Sequence, residues 1–75
     1  MNKKVGGYAV KAYEQYRTEE GHKLFVVLAQ SVKTGNWVTW ECTDGYNFYW
    51  GHYFTSEAAA KADYHKRLLE KYAAP

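Results

Sequence analysis

Hydrophobic and polar residues alternate with a period of two over most of the chain up to Phe54, which is the pattern of half-buried β-strands. The alternation favours strands from Tyr8 to about Arg17, from His22 to Val32, from Trp37 to Thr43 and from about Tyr46 to Phe54. Short polar segments that contain glycine separate them. The pattern therefore predicts an antiparallel meander of three to four strands.

Two glycines in the last hairpin carry separate information. Asp44-Gly45 is a strong two-residue turn signal, because both positions tolerate a positive φ. Gly51 lies inside the fourth predicted strand, where a glycine indicates a β-bulge or a close approach of backbone.

After Phe54 the period changes to that of an α-helix. Thr55 or Ser56 can cap it, because either hydroxyl accepts from a free N–H of the first turn, and Glu57 suits the positive end of the helix dipole. A core-facing stripe is predicted at Ala58, Ala62, His65, Leu69 and Tyr72, with Ala59 and Leu68 beside it. The outward side is predicted to hold Lys61, Lys66, Arg67, Glu70 and Lys71. The fold class is α+β: a meander followed by one C-terminal α-helix packed on one sheet face.

A single helix covers only one face of such a sheet, so the two faces should differ. The helix face is assigned Tyr8, Val10, Leu24, Val26, Leu28, Val38, Trp40, Phe48, Trp50 and Phe54. The face away from the helix, called the open face below, should be polar. Instead the alternation gives it Tyr13, Phe25, Val27, Trp37, Tyr49 and Tyr53. On this assignment, Trp50→Ala should destabilise the fold much more than Trp37→Ala.

Exposed aromatic patches of this kind usually mark an interaction site. The predicted partner-binding residues are Tyr13, Phe25, Trp37, Tyr49 and Tyr53. The alternative is that these rings serve structure alone, since cross-strand aromatic pairs stabilise a sheet by ~0.2–1 kcal/mol each.

The chain has 75 residues, which predicts a single domain over 1–75 with a flexible start over 1–6. A domain of this size buries only ~60% of its unfolded surface, and the 19% aromatic content supplies the large side chains that such a small core needs. Cys42 is the only cysteine, and the longest apolar run, 24–29, is far shorter than the ~20 residues that span a bilayer. We expect a cytoplasmic protein without a membrane partner.

The net charge of +2 permits binding to nucleic acid but does not require it. The segment FYWGHYFTSEAAA, followed by Tyr64, resembles one stretch of AP2-type and integrase-arm DNA-binding modules, over residues 48–64. The resemblance implies a sheet whose open face docks in the major groove. On that interpretation the residues that face DNA are Lys11, Arg17, Lys23, Lys33 and Trp37.

Patterns of catalysis or metal binding are missing from the sequence. His22, His52 and His65 are too dispersed for a metal site, and Cys42 has no partner cysteine. Cys42 and His52 could meet across the last two strands as a nucleophile pair, but a buried thiol beside a hydrogen-bonded histidine is the commoner arrangement.

These observations favour a non-enzymatic regulatory protein that needs no cofactor and no small-molecule substrate. We expect it to dock a protein partner, or a second copy of itself, through the aromatic open face. Phage and mobile-element proteins that inhibit host defence proteins are of this kind. The alternative is a sheet-based DNA-binding module.

Overall fold

The structure, a computed structural model, describes residues 3–43 and 47–73, and describes side chains as far as residue 71. Five antiparallel strands form one curled sheet, and a single helix follows. The elements are β1 (Lys4–Val5), β2 (Tyr8–Arg17), β3 (Lys23–Ser31), β4 (Trp37–Thr43), β5 (Asn47–Phe54) and α1 (Glu57–Ala73), and the strands lie side by side in chain order. The α+β meander with a C-terminal helix is confirmed. The predicted count of three to four strands is wrong, because Lys4–Val5 in the supposed flexible start pairs with β2.

The local turn and cap signals hold where the structure describes them. Gly21 and Gly35 lie in the two predicted turns with φ of 86° and 78°, a region natural to glycine. The hydroxyl oxygen of Ser56 accepts a hydrogen bond from the Ala59 N–H at 3.2 Å, which caps α1. Asp44-Gly45 lies outside the described residues, although β4 and β5 pair antiparallel on either side of it.

Strand β2 changes face at Lys11, which is an extra residue between Val10 and Ala12 in the pairing with β3. Such a bulge shifts the alternation by one residue. Tyr8 and Val10 therefore lie on the open face, whereas Ala12 lies on the helix face. The assignment of Tyr8 and Val10 to the helix face was wrong for this reason.

The two faces of strand β4 are exchanged relative to the prediction. Thr39 pairs with Leu28, which faces the helix, so Trp37 also faces the helix and is only 8% exposed. Val38 and Trp40 lie on the open face. The strand begins with two apolar residues, Trp37 and Val38, whose side chains lie on opposite faces. Alternation alone therefore could not decide which set of alternate residues faces the helix.

Two clusters of buried side chains lie on opposite faces of the sheet. The buried residues of the helix-side cluster are Tyr16, Val26, Leu28, Trp37, Ala60 and Tyr64, and those of the open-face cluster are Val27, Ala29, Val38, Trp40 and Cys42. The ring of Trp40 lies 5.1 Å from that of Tyr8 and 5.2 Å from that of Phe48, so an aromatic layer covers the small residues of the open face. Phe48 was wrongly assigned to the helix face.

Helix α1 packs through a side that the sequence analysis did not select. Of the predicted stripe, Ala58, Ala62, His65 and Leu69 are exposed, and the side chain of Tyr72 lies outside the described residues. The buried residues are Ala60, Tyr64 and Arg67, spaced as i, i+4 and i+7. Arg67 was expected to point outward, and its charge concealed the true apolar face. No helix within residues 3–43 and 47–73 is long and apolar enough to cross a membrane.

Candidate interaction site on the edge strand

Strand β5 forms one edge of the sheet and contains a β-bulge. Its register with β4 slips between Thr39 and Glu41, where Trp50 and Gly51 together lie opposite the single residue Trp40. A bulge bends its strand and redirects a side chain. In β5 the redirected side chain is that of Trp50.

Trp50 has an unusual backbone and an exposed side chain. Its φ is 56°, and it is 66% exposed. Its ring packs edge-on against that of Tyr49, with 4.6 Å between centroids. The left-handed conformation costs a residue with a bulky side chain ~1–2 kcal/mol, so it persists only where the surroundings hold it. Trp50 had been assigned to the helix-side core, and that assignment is wrong.

Gly51 lies in the bulge where the side chains of Trp40 and Tyr53 approach the backbone closely. A Cβ atom at this position would lie 3.0 Å from the Trp40 Nε1 atom and 3.0 Å from the Tyr53 hydroxyl oxygen. Both distances are tighter than nine in ten real Cβ contacts, so Trp40 and Tyr53 would each have to shift by a few tenths of an ångström to admit a larger residue. Of the two alternatives predicted for Gly51, the bulge is confirmed, and the atoms that approach it are those of side chains rather than of backbone.

The carbonyl of Trp50 is held by Arg67 of α1. The Arg67 Nη2 group donates to this carbonyl oxygen, and Nη1 donates to Glu41 Oε2 at 2.9 Å. The Nε–H lies 3.1 Å from Thr39 Oγ1 and 3.2 Å from Asp63 Oδ2. Arg67 is only 5% exposed, so these charge-assisted hydrogen bonds form away from water, where they are strong. Among the described residues, every buried side-chain nitrogen or oxygen atom has a hydrogen-bond partner.

Glu41 connects the same network to Tyr16 of β2 and to Lys71 in the last turn of α1. Its Oε1 atom accepts from the Tyr16 hydroxyl at 3.2 Å and from Lys71 Nζ at 2.9 Å. Burial, together with the neighbouring carboxylate of Glu41, raises the pKa of Tyr16 far above its usual value. Tyr16 therefore stays a neutral hydrogen-bond donor. Three elements, β2, β4 and α1, thus fix the carboxylate that orients Arg67.

Asp63 is the second carboxylate of the network. Its Oδ2 atom lies 3.0 Å from His52 Nδ1 and also accepts from the Thr39 hydroxyl. Burial acts to raise the pKa of Asp63, but the hydrogen bonds from Thr39, His52 and Arg67 outweigh it and hold that pKa below its usual range. The ionised form of Asp63 is thereby favoured, which suits its contact with Arg67.

A shallow cleft of about 200 Å³ opens beside this network, lined by its residues together with Trp50, Lys66 and Glu70. Ligand pockets usually measure ~300–1,000 Å³, so the cleft is small for an organic substrate. Cys42 is buried in the open-face cluster, whereas His52 pairs with Thr39 on the helix face, so the conceivable nucleophile pair of Cys42 and His52 is not formed. Within the described ranges, no three His, Cys, Asp or Glu side chains are placed to hold a metal ion.

The five predicted partner-binding residues do not share one surface. Tyr13 and Phe25 meet on the open face, with ring centroids 6.1 Å apart. Tyr53 is on the same face and 66% exposed, but three strands from Tyr13, which is about 14 Å at normal strand spacing. Trp37 is buried under the helix, and Tyr49 is half-buried on the helix face. Placing Trp37 and Tyr49 on the open face was wrong, because the reversed orientation of β4 and the bulge in β5 change their faces.

The basic residues of the nucleic-acid alternative are also divided. Arg17 and Lys23 lie directly opposite each other at the turn between β2 and β3. Lys33 lies in the next turn, beyond the far end of β3, whose 9 residues span about 30 Å. Lys11 occupies the bulge of β2 between them, and Trp37 is buried. Only Arg17 and Lys23 form a compact basic site.

Sequence reasoning missed the residues that build the edge-strand site, which are Trp50, Arg67, Asp63 and His52. Gly51 was the available signal for the bulge. The i, i+4 spacing of Asp63 and Arg67 was the available signal for an ion pair on the helix, but nothing local showed that this pair is buried.

No protein-family model, curated protein or solved structure matches the chain. The site has to be interpreted from its own residues. The resemblance of residues 48–64 to AP2-type and integrase-arm modules stays a prediction.

Proposed function

We propose that the protein is a non-enzymatic binding protein that docks a partner protein along strand β5, with Trp50 and Tyr53 as the anchoring side chains. The observation that carries the proposal is the pair of aromatic side chains, each 66% exposed, on an edge strand. Tryptophan and tyrosine are the residues most enriched in binding hot spots. The strained backbone of Trp50, held by the buried Arg67, supports the proposal because such strain clusters at functional sites.

The chemistry of β5 fits the addition of an extended segment. Strand β4 pairs with one side of it, and no strand among the described residues pairs with the other. Between Asn47 and Phe54 there is no lysine, arginine, aspartate, glutamate or proline, although natural edge strands commonly use such residues to prevent pairing. A partner strand would gain main-chain hydrogen bonds along this edge and contacts with Trp50 and Tyr53. A small regulatory protein, such as a phage-encoded inhibitor of a host defence protein, would be served by this mode of binding.

A random-peptide display library tests the proposal. Peptides are selected on the wild-type protein at nanomolar concentration, and their affinities are then measured for Trp50→Ser, Tyr53→Ser and the control Tyr13→Ser. Tyr13 is a matched control because it is an exposed aromatic residue of β2, away from the β5 edge. We expect the two β5 variants to lose at least about tenfold in affinity and the control to lose little.

Hydrogen exchange on the complex adds an independent readout, with protection expected at the β5 amides. Peptides that bind both β5 variants as well as wild type would contradict the proposal, as would a library that yields no binder.

The second candidate function is binding of nucleic acid at the turn between β2 and β3. Arg17 and Lys23 are opposite each other, and Tyr13 and Phe25 meet on the same face close by. Such rings can stack on bases while the cations neutralise phosphates. Fluorescence anisotropy with a labelled mixed-sequence duplex and a labelled single strand, at low and physiological salt, tests it.

Affinity that falls steeply with salt, and that Lys23→Ala lowers equally for all sequences, would favour this candidate. Absent or salt-independent binding would remove it. Two neighbouring basic side chains, Arg17 and Lys23, are few for a DNA-binding surface, so the protein-binding proposal remains the leading one.

A further inference from the structure

His52 is a polar side chain of the β5 edge that the proposed function does not use. It pairs with Thr39 on the helix face of the sheet, and its side chain is 55% exposed. Together with Trp50 it lines the shallow cleft of about 200 Å³. Its ring therefore lies between the buried network around Arg67 and the surface at which a partner would dock.

The hydrogen bonds around Asp63 determine which nitrogen of His52 carries the hydrogen. The guanidinium of Arg67 can only donate, so Thr39 Oγ1 accepts from it at 3.1 Å, and the hydroxyl hydrogen of Thr39 goes to Asp63 Oδ2. The same oxygen accepts from Arg67 Nε at 3.2 Å, so Asp63 is an ionised carboxylate with no hydrogen of its own. In the 3.0 Å contact between Asp63 Oδ2 and His52 Nδ1, the donor must therefore be His52.

Neutral His52 thus carries its hydrogen on Nδ1 and has an acceptor lone pair on Nε2. Within residues 3–43 and 47–73, no group forms a hydrogen bond to Nε2. The β5 edge consequently presents a hydrogen-bond acceptor whose chemical form is fixed from inside the fold.

We infer that His52 determines the specificity of the β5 docking site by accepting, at Nε2, a hydrogen bond from a donor side chain of the partner protein. The inference rests on the proposed function and names the chemistry of the partner, which presents a hydroxyl, amide or ammonium group opposite His52. A carboxylate does not fit, because it has no hydrogen to donate at neutral pH. A strand added to β5 places one of its residues directly beside His52 on the helix face, within reach of Nε2.

The charges around the cleft agree with a donor on the partner. Those that face His52 come from α1 and β4, and they are Asp63, Lys66, Arg67 and Glu70 of α1 and Glu41 of β4. They comprise three carboxylates and two cations, so a carboxylate of the partner would meet no excess of positive charge. The N–H groups of Arg67 already donate to Trp50, Glu41, Thr39 and Asp63.

Protonation of His52 removes the acceptor. Histidine changes charge between about pH 5 and 8, and the added proton goes to Nε2 because Nδ1 already carries one. The contact with Asp63 persists, since Nδ1 donates in both forms. Nε2 then donates and can no longer accept from the partner, so affinity should fall on acidification through this range while the fold keeps its network.

Peptides selected on the wild-type protein, as in the test of the proposed function, serve as the probe. Isothermal titration calorimetry gives their dissociation constants at about pH 7.5 and about pH 5.5 for wild type, His52→Asn and the control His22→Gln. Asparagine can keep an amide N–H near the position of Nδ1, but it has no group at the position of Nε2.

At the higher pH, His52→Asn should lose about two- to tenfold in affinity, and it should not weaken further in acid as the wild type does. His22 is exposed in the turn between β2 and β3, so His22→Gln should change neither the affinity nor its pH dependence. Comparing the same peptide across the three proteins cancels the titration of the peptide itself. Urea denaturation at both pH values checks that every protein stays folded.

A double-mutant cycle identifies the partner group. Each polar or charged residue of a selected peptide is changed to alanine and combined with His52→Asn. One residue with a hydroxyl, amide or ammonium group should show a coupling of about two- to tenfold in affinity.

Three results would overturn the inference. They are peptides whose affinity is the same for His52→Asn, a loss of affinity in His52→Asn with the wild-type pH dependence retained, and a coupled peptide residue that is aspartate or glutamate. In each case, sensitivity of the same peptides to Trp50→Ser and Tyr53→Ser would still uphold the proposed function. A library that yields no binder would remove both.

Discussion

The guanidinium group of Arg67, which is 5% exposed, donates a hydrogen bond to the backbone carbonyl of Trp50, which is 66% exposed. A buried arginine of α1 thus holds the most exposed tryptophan of the chain in its left-handed conformation. The same group pairs with Glu41, so the shape of the β5 edge depends on charges buried between the helix and the sheet. The variants below test this dependence and the placement of the core.

Arg67→Met should destabilise the fold by ~3–5 kcal/mol, because it leaves Glu41 and Asp63 without their buried cation. Urea denaturation followed by circular dichroism measures this cost as a change in the free energy of unfolding.

A double-mutant cycle supplies the control for Arg67→Met. Adding Glu41→Gln removes the carboxylate that lost its buried cation, so the double variant should be more stable than the sum of the two single changes implies, with a coupling of ~0.5–3 kcal/mol. Costs that simply add would mean that the two side chains act independently, and the buried pair would then not orient Arg67.

Trp37→Ala should cost ~3–5 kcal/mol, whereas Trp50→Ala should cost less than ~1 kcal/mol. Trp37 packs in the helix-side cluster, while the side chain of Trp50 is largely in solvent. This order is the reverse of the one that the sequence suggested. Chemical denaturation of both variants measures it, with Trp37→Phe as a milder substitution if Trp37→Ala does not fold. Equal costs for the two alanine variants would show that the faces of β4 and β5 have been assigned wrongly.

Gly51→Ala should destabilise the fold by ~1–3 kcal/mol, since the added Cβ would lie 3.0 Å from Trp40 Nε1, and Trp40 is only 8% exposed and packs against other rings. Gly7→Ala is the matched control, because Gly7 has an ordinary φ and no atom within 4 Å of such a Cβ. The control should be neutral or slightly stabilising. Thermal denaturation of the pair gives the comparison, and a harmless Gly51→Ala would rule out the close packing of Trp40 beneath the bulge.

Stability should fall in acid partly through Asp63. Its pKa is lower in the folded protein than the value of about 3.9 usual for an unfolded chain, so the unfolded state binds more protons in this range. The contribution of Asp63 to the free energy of unfolding is complete above its pKa in the unfolded chain, and it is lost as the pH falls towards its pKa in the folded protein. Free energies of unfolding measured from neutral to acid pH should therefore fall less steeply for Asp63→Asn than for wild type. Parallel acid limbs for the two proteins would contradict the role of Asp63 in the network.

The sequence predicted most of the local structure because that structure follows from neighbouring residues. The period of the apolar residues determines the bounds of β2 and β4. Glycine marks the turns at Gly21 and Gly35, and a hydroxyl side chain marks the helix cap at Ser56. The meander with one packed helix followed in turn from these elements. The short strand β1 was missed, because two residues are too few to show an alternation.

Gly51 indicated the bulge, but the rest of the candidate site could not be predicted in the same way, because it depends on contacts between distant parts of the chain. Strands β2 and β5 each contain one extra residue, which is Lys11 in β2 and one of the pair Trp50-Gly51 in β5. Each extra residue changes the face on which the following residues of its strand lie, and the alternation of apolar and polar residues does not show where this happens. Arg67 is charged, so its pattern on the helix indicated an exposed position. Only the carboxylates of Glu41 and Asp63, brought to it by the fold, make its burial favourable.

By itself, the sequence determined an aromatic-rich α+β meander with a C-terminal helix, since these are properties of composition and local period. The tertiary structure decided which tryptophan is buried and which is displayed. The physical reason is that burial depends on register and on the pairing of charges across the helix–sheet interface, and both are set only when the strands and the helix meet.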